Sequence, residues 1–172
     1  ILPAIGASQL DIYDPRKSNI IVNGAQTFVS GGPKIDRGVK GKKDADATYG
    51  DFSRQTGGSA YGKDATKVDF HALVLSRQIA KSIVASGIVE NVEVKLGYAI
   101  GEEKPYVLSF DTFGSKISLN ELEKIVRKKF PFAPESVIKE LNLRHPWFYP
   151  LTATETFFWR SDFPWEQTKK LV

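Results

Sequence analysis

The 172-residue sequence predicts an α+β domain in two layers, with helices on one face of a mostly antiparallel sheet. A helical apolar period runs through residues 66–86, two strand-like stretches at 91–98 and 106–110 flank a short turn, and a capped helix pattern follows them. Strands that neighbour each other along the chain and are joined by short turns pair antiparallel, and the helices then cover one face. This order of elements is the basis of the fold class.

The first elements that we predict are two short strands. Residues 19–22, of which 20–22 are apolar, are the first predicted strand and lead into Asn23-Gly24, a dipeptide typical of tight hairpins. Residues 26–30 are the returning strand. Residues 31–62 then show hardly any apolar periodicity. Because so long an irregular stretch is uncommon inside a compact domain unless it is functional or mobile, we expect functional loops there.

The middle of the chain predicts a helix and a hairpin. Apolar residues at three- and four-residue steps, followed by Gly87 as a helix-ending glycine, indicate a helix over 66–86. Residues 91–98 alternate in polarity, a turn follows at 101–105, and 106–110 is the partner strand.

Two more helices and an aromatic tail complete the predicted order. Ser118 with Glu121 has capping-box spacing and opens a helix through Lys129, whose expected inward residues are Leu119, Leu122, Ile125 and Val126. Pro134 suits the first turn of a further helix to Leu141. Residues 146–165 hold all three tryptophans, and we expect this tail to lie against the sheet as strand.

Composition excludes several kinds of site. The chain has no cysteine and two histidines, which excludes thiol catalysis and disfavours a histidine-built metal centre. No run of 18 apolar residues and no secretory leader occurs, so we expect no membrane partner and a cytoplasmic protein. Since the sequence starts Ile1-Leu2-Pro3 and contains no methionine, we expect a fragment of a longer polypeptide.

Two glycine loops studded with lysine, residues 31–43 and 57–69, indicate polyphosphate binding. Glycine lets the backbone approach a ligand closely, exposed N–H groups bind anions, and lysine supplies a point charge for phosphate. Residues 33–67 contain eight basic and five acidic residues, which accounts for most of the net charge of +4.

The second loop meets most of the Walker A spacing, from Gly57 to Gly62-Lys63. Asp64 stands where the magnesium-binding Ser or Thr belongs, so an ordinary P-loop is rejected. The loop still enters a helix N-terminus, which attracts anions. Lys67 opposes the helix dipole there unless an anion is bound, although it could also simply point to water.

Other residues near these loops keep two interpretations each. The pair Lys42-Lys43 either contacts phosphate or is solvated in a mobile loop. Asp36 and Asp69 are the carboxylates nearest the cations and are able to bind Mg²⁺, an amine or a ribose hydroxyl. Asp69 could instead only complement the helix dipole. His71 is interpreted as a packing or surface residue.

Eight blocks follow one another along the chain: Gly31-Gly32-Pro33, Asp36-x-Gly38-x-x-Gly41-Lys42-Lys43, Thr48-Tyr49-Gly50, Gly57-Gly58, Gly62-Lys63-Asp64-x-x-Lys67-Val68-Asp69, Tyr98-Ala99-Ile100-Gly101, Asp111-Thr112-Phe113-Gly114 and Phe163-Pro164-Trp165-Glu166. In this order they resemble the second half of S-adenosylmethionine synthase, also called methionine adenosyltransferase. The resemblance runs from about Asn19 to Glu166.

This resemblance implies a transferase in which the sulfur of L-methionine attacks C5′ of ATP and the released tripolyphosphate is cleaved, with Mg²⁺ and K⁺ as cofactors. It implies an S-adenosylmethionine synthase fold of three interwoven α+β domains, in a homotetramer that is a dimer of dimers with active sites shared between subunits. Residues 1–69 would end an interwoven domain and 70–172 form the C-terminal domain. A chain without the family's first half is not expected to catalyse this reaction by itself.

The resemblance also implies roles for single residues, carried over position by position. ATP would be bound by Phe28, Asp36, Lys42, Lys43, Ser59 and Lys63, of which the three lysines are the catalytic candidates. Methionine would be bound by Asp36 and Lys67, and magnesium by Asp69.

The chain departs from the usual family pattern at Ile35, Lys40, Lys42 and Gln55, among other positions. A lysine at position 42 cannot reproduce the bidentate fork of the usual arginine. Two alternatives therefore stay open. One is a non-enzymatic basic module for polyphosphate or RNA, with nucleic acid disfavoured because only three aromatic residues accompany the cations. The other is a catalytically dead partner subunit.

Overall fold

A computed structural model describes residues 58–172 without a gap, and before them residues 48–54, 29–36, 27, 24, 21–22 and 17. Six regular elements follow in order: helix α1 (Val68–Ala85), strands β1 (Glu93–Gly97) and β2 (Val107–Asp111), and helices α2 (Leu119–Lys129), α3 (Pro134–Glu140) and α4 (Tyr149–Thr154). Short 3-10 turns lie at Gly50–Phe52, Pro146–Phe148 and Pro164–Glu166. Helices with a two-stranded antiparallel sheet confirm the α+β class.

Helix α1 is the centre of the packing. Its residues Phe70, Val74, Leu75, Ile79 and Ile83 are at most 1% exposed, as the apolar period predicts. The helix contacts β1, α3 and the 3-10 turn at 164–166. The prediction of a helix over 66–86 is confirmed, with observed ends one or two residues inside it.

The hairpin confirms the two predicted middle strands. Val94 faces Phe110 and Leu96 faces Leu108 across the ladder, and these residues belong to or pack against the core. Side chains alternate between faces along a strand, so the pair Glu93 and Asp111 lies on the opposite face. Helix α1 packs on β1 and α2 on β2.

Helices α2 and α3 begin where the sequence indicates. The Ser118 hydroxyl accepts a hydrogen bond from the Glu121 N–H at 3.4 Å, and Leu122 and Val126 are fully buried. The prediction for Leu119 is wrong, because this side chain is 46% exposed at the first helical position. Proline stands at the start of α3, as expected.

The aromatic tail is helical, so the prediction of strand there is wrong. It forms the 3-10 turn at 146–148, α4 and the 3-10 turn at 164–166, and each of these segments has a proline at its first or second position. A fixed φ suits proline to a first helical turn. The aromatic burial was expected correctly, because Trp165 is fully buried and its ring centroid lies 6.3 Å from that of Phe70.

Among the described residues of the predicted first hairpin, which are 21–22, 24, 27 and 29–30, none is in a strand, and the others lie outside the described residues. No helix in the described part of the chain has the length and apolarity needed to cross a membrane. The division of the chain at residue 69 stays a prediction.

Candidate functional site

The chain is turned into the N-terminus of α1 by Asp64. Its Oδ1 accepts hydrogen bonds from the Thr66 N–H at 2.9 Å and the Thr66 hydroxyl at 2.7 Å. These bonds are the largest causes that lower the pKa of Asp64, and the charges of Arg144 and Lys67 add smaller effects. The aspartate at the Walker-type Ser/Thr position therefore has a local role: it closes the turn before the helix.

Lys63 lies on this turn between two carboxylates. Its Nζ is 2.5 Å from Oδ2 of Asp69, in the first turn of α1, and 3.9 Å from Oδ2 of Asp36. The Lys63 side chain is 13% exposed, whereas those of Asp69 and Asp36 are 38% and 45% exposed. The ammonium group is thus held in place, and the carboxylates are open to solvent.

Gly58 allows the loop to pass against Asp69. A Cβ atom placed on Gly58 would lie 2.1 Å from Oδ1 and 2.9 Å from Cγ of Asp69. Real Cβ atoms do not approach that closely, so a side chain at position 58 would displace the carboxylate. The absence of a side chain at Gly58 therefore leaves room for the Asp69 carboxylate where it meets Lys63.

The structure brings together three of the predicted site residues, namely Asp36, Lys63 and Asp69. Ser59 follows Gly58 and is half-buried. Lys67 is the N-cap residue of α1, where its carbonyl accepts from the N–H groups of Phe70 and His71. Phe28, Lys42 and Lys43 lie outside the described residues.

His71 is a packing residue. It is fully buried, its Nδ1 lies 3.2 Å from the carbonyl oxygen of Ala65, and its ring meets that of Tyr98 edge-on at 5.7 Å. Its Nε2 is buried and has no hydrogen-bond partner among the described residues. Burial lowers the pKa of His71 and so favours the neutral ring, and the carbonyl beside Nδ1 favours the tautomer with the proton on that atom.

Two carboxylates near one ammonium group do not make a complete metal cage. In residues 58–172 and the shorter described stretches, no group of three or more His, Cys, Asp or Glu side chains could hold a metal ion. The candidate site therefore offers a held lysine, two accessible carboxylates and the N-terminus of an 18-residue helix. The lysine and the helix N-terminus can bind an anion such as phosphate, whereas the two carboxylates can bind a cation.

Sequence reasoning missed a buried charged network between α1 and the C-terminal tail. Arg77 of α1 donates to both carboxylate oxygens of Glu166, at 2.8 and 3.0 Å, and Lys81 donates to Glu166 at 2.7 Å. The side chains of Arg77 and Glu166 are 5% and 2% exposed. Arg77 stands seven residues after Phe70 on the buried face of α1, and a charge at that position was the available signal.

Sequence reasoning also did not predict that loop 48–54 contacts α1 and the hairpin. The Tyr49 hydroxyl accepts a hydrogen bond from Arg77 Nη1. Arg54 binds Glu93 and Asp111, each at 2.8 Å, and so bridges two carboxylates that oppose each other across the ladder. The backbone N–H of Phe113 and then the Arg54 guanidinium lower the pKa of Asp111. No sequence spacing pointed to this pairing.

A family profile and individual known proteins all relate this chain to S-adenosylmethionine synthases. A family profile described as S-adenosylmethionine synthetase, C-terminal domain, matches residues 30–167. The chain is 42% identical over 154 residues to S-adenosylmethionine synthase of Mesoplasma florum, covering 89% of this chain and 41% of that protein. It is 44% identical to the synthase of Clostridium tetani and 45% identical to that of Lacticaseibacillus casei, each over 157 residues. Both of these matches cover 90% of this chain and 40% of the relative.

The chain thus spans about two fifths of the length of the curated relatives that it matches. The matched stretch contains Asp36, Gly58, Lys63 and Asp69, the residues that the structure gathers at the start of α1. The chain belongs to the S-adenosylmethionine synthase family and corresponds to a C-terminal portion of its members.

Proposed function

We propose that the complete polypeptide containing this chain forms S-adenosylmethionine from ATP and L-methionine and cleaves the released tripolyphosphate. Family membership supports the reaction class. The observation that carries the proposal is the Lys63 ammonium group, 13% exposed and held by Asp69 and Asp36 at a helix N-terminus. The leaving group of this reaction is a polyanion, and a pre-positioned cation stabilises charge that develops on it.

Lys63 would exchange a carboxylate for a phosphate oxygen when substrate binds. Lysine is a compact cation with three donors, so it can contact phosphate while keeping a bond to Asp69 or Asp36. Little covalent chemistry falls to the protein, and its contribution is positioning together with electrostatic stabilisation. The roles of Phe28, Ser59 and the lysines at 42, 43 and 67 remain proposals that rest on the resemblance.

Asp69 fits a magnesium ion that is shared with substrate. Mg²⁺ in nucleotide sites is held by one or two carboxylates together with phosphate oxygens and water, so a full protein cage is not required. Asp69 is the proposed ligand, and Asp36 would face ATP and methionine. When bound, the ion would neutralise charge on the polyphosphate. K⁺ is proposed from the resemblance alone.

Partners are proposed on the same basis. The curated relatives are more than twice as long as this chain, so further site residues would come from the rest of the polypeptide. A homo-oligomer, arranged as a dimer of dimers with shared active sites, is proposed as the working assembly. ATP and L-methionine are the proposed small-molecule partners.

The test is formation of S-adenosylmethionine by the complete polypeptide, given ATP, L-methionine, Mg²⁺ and K⁺ and followed by chromatography. Lys63→Ala should lower turnover by about a hundredfold or more, the effect of losing one donor aimed at developing charge. Lys139→Ala is the matched control, because Lys139 is an exposed lysine of α3. It should leave turnover unchanged.

Other outcomes separate the alternatives. No product from the folded, complete polypeptide would overturn the proposal. If that protein still binds tripolyphosphate or RNA, the basic binding module is favoured, and if it co-purifies with a longer homologous chain, a dead partner subunit is favoured. Turnover that is equal in Lys63→Ala and the unmodified protein would remove Lys63 from the site.

A further inference from the structure

The imidazole of His71 is buried near the start of α1 although one of its nitrogens is left unbonded. The residue is fully buried, and its Nε2 has no hydrogen-bond partner among the described residues. Burying a polar atom without a partner is unfavourable, and a leucine of similar volume would avoid that cost. What histidine offers and leucine lacks is a donor at Nδ1, which lies 3.2 Å from the carbonyl oxygen of Ala65.

Ala65 anchors the turn that leads into α1. Of the five residues 63–67, it is the one that is fully buried, and the other four are half-buried or exposed. A buried carbonyl needs a hydrogen-bond donor, and His71 supplies one. The Lys67 N–H donates to the carbonyl of Asp64 at 3.0 Å, so the backbone on either side of Ala65 is also closed into a turn. His71 therefore ties the middle of this turn to the core.

The link between His71 and Ala65 runs beside the ion pair of the candidate site. Lys63 precedes Ala65 by two residues on the turn, and Asp69 precedes His71 by two residues on the helix, so each link spans six residues. Both links join the same turn to the same end of α1, and each restrains the other. Without the donor at position 71, the turn would be free to shift, and the Lys63 ammonium group would lose its fixed place.

We propose that His71 is a positioning residue for the phosphate site, which it serves by holding the carbonyl of Ala65 and thereby the turn that carries Lys63. This inference rests on the proposed function. His71 is fully buried, so it acts through the turn and does not touch the ligand. A turn that is already fixed loses less conformational entropy when phosphate binds, and this raises the affinity.

The experiment measures tripolyphosphate binding to the complete polypeptide by isothermal titration calorimetry in the presence of Mg²⁺. His71→Leu removes both nitrogens at similar volume. We expect the affinity to fall about three- to tenfold, the scale of one lost hydrogen bond. His71→Phe also loses both nitrogens but keeps a ring against Tyr98, and it should show the same loss; it replaces the leucine variant if that one does not fold.

His71→Gln separates positioning from packing. Glutamine keeps an N–H donor for the Ala65 carbonyl, so this variant should retain most of the affinity that His71→Leu loses. The amide of Lys67, which closes the turn, should exchange hydrogen faster in His71→Leu than in His71→Gln in the absence of ligand.

Tyr98→Phe is the matched control. The Tyr98 hydroxyl donates to the Phe132 carbonyl at 2.8 Å, while its ring lies beside His71. The variant loses a hydrogen bond of the same kind next to His71 but keeps the ring and the link to Ala65. Its stability should fall and its affinity for tripolyphosphate should stay unchanged.

Three results would overturn the inference. If the unmodified protein binds tripolyphosphate and the folded leucine or phenylalanine variant binds it equally well, His71 has no positioning role, and the proposed function is unaffected. If His71→Gln loses as much affinity as His71→Leu, the donor at Nδ1 is not the cause. If the unmodified protein does not bind tripolyphosphate, the phosphate site of the proposed function fails, and this inference fails with it.

Discussion

Lys63 and Asp69 are six residues apart, and the turn closed by Asp64 folds the lysine back onto the helix that carries its partner. A single short segment thus fixes both charges of the pair. The second carboxylate, Asp36, comes from more than 25 residues earlier in the chain. At the scale of residues, the site is a local ion pair to which one distant acid has been added.

Gly58→Ala should separate this pair. The added Cβ would lie 2.1 Å from Oδ1 of Asp69 and force the carboxylate away from Lys63. We expect turnover of the complete polypeptide to fall at least about tenfold, because misplacement by about 1 Å is costly in catalysis. Steady-state assays of the variant and the unmodified protein, with circular dichroism to confirm folding, provide the measurement.

A double-mutant cycle sharpens this prediction. If Gly58→Ala acts through Asp69, then combining it with Asp69→Ala should add little to the loss that Asp69→Ala causes alone. Fully additive losses would show that the glycine acts by another route.

His71 should make folding stability depend on pH. Burial lowers the pKa of His71 in the folded state, so above the unfolded pKa of about 6.5 the stability is complete. As pH falls below that value, His71 binds a proton in the unfolded chain but stays unprotonated in the folded protein. Stability should therefore decrease by up to about 1.4 kcal/mol per pH unit.

Urea unfolding of the unmodified protein and His71→Gln at pH 7.5 and pH 5.5 measures this effect. Glutamine can still donate to the Ala65 carbonyl and does not titrate in this range. The midpoint should drop more for the unmodified protein than for the variant. Equal drops would assign the acid sensitivity to other groups.

At the scale of elements, local signals determine where helices begin and end. Gly87, at φ +69°, ends α1: its N–H bonds the Val84 carbonyl at 2.9 Å, and the next N–H, of Ile88, bonds Ile83 at 3.4 Å. This is a Schellman motif, which is encoded within six residues. Sequence reasoning found this end and the Ser118 cap because both are local.

Gly87→Ala should destabilise the protein by about 1 kcal/mol. A Cβ at this position meets nothing within 4 Å, so the cost is the backbone strain of a left-handed conformation. Gly87→Asn should lose less, since asparagine tolerates that conformation better. Urea unfolding compares the three proteins, and an alanine variant as stable as the original would contradict this account.

The tail shows why local signals are not always sufficient. Its dense aromatic residues favour strand, but its prolines lie at the first turns of short helical segments. Burial against α1 decides the outcome, since Phe70 and Trp165 make their contact across 95 positions of sequence. Proline placement was the signal that pointed to helix, and it was applied only to the helix at Pro134.

At the scale of the whole molecule, Glu166 joins α1 to the tail. It accepts from Arg77 and Lys81, and its Oε1 lies 3.2 Å from the backbone N–H of Trp159. These charge-assisted bonds outweigh burial and lower the pKa of Glu166, even though burial by itself raises it. The carboxylate therefore stays ionised and links two parts of the fold.

Glu166→Gln should be strongly destabilising, by about 3–5 kcal/mol, because it leaves the buried Arg77 guanidinium without its counter-charge. The control is Glu135→Gln, which breaks an ion pair with Arg144 whose side chains are 71% and 59% exposed. Thermal unfolding should show a large decrease for Glu166→Gln and almost none for the control. Similar decreases would mean that burial does not set the strength of the interaction.

Features set by neighbouring residues could be predicted from the sequence, and contacts between distant residues could not. That Asp36 and Asp69 lie beside a loop lysine was predicted correctly, because glycine, lysine and aspartate recur together in the two loops. The partners of Arg77, which are Glu166 and Tyr49, were not found, since nothing along the chain relates residues 28 and 89 positions apart. Such pairs are set by packing, which sequence periodicity does not encode.

The link between Arg77 and Glu166 also has a consequence during synthesis on the ribosome. The partner of Arg77 is made 89 residues later. Chain elongation proceeds at about 5–20 residues per second, so the arginine spends several seconds in a nascent chain in which Glu166 has not yet been made. Helix α1 can therefore reach its final packing only after the tail that carries Glu166 has been synthesised.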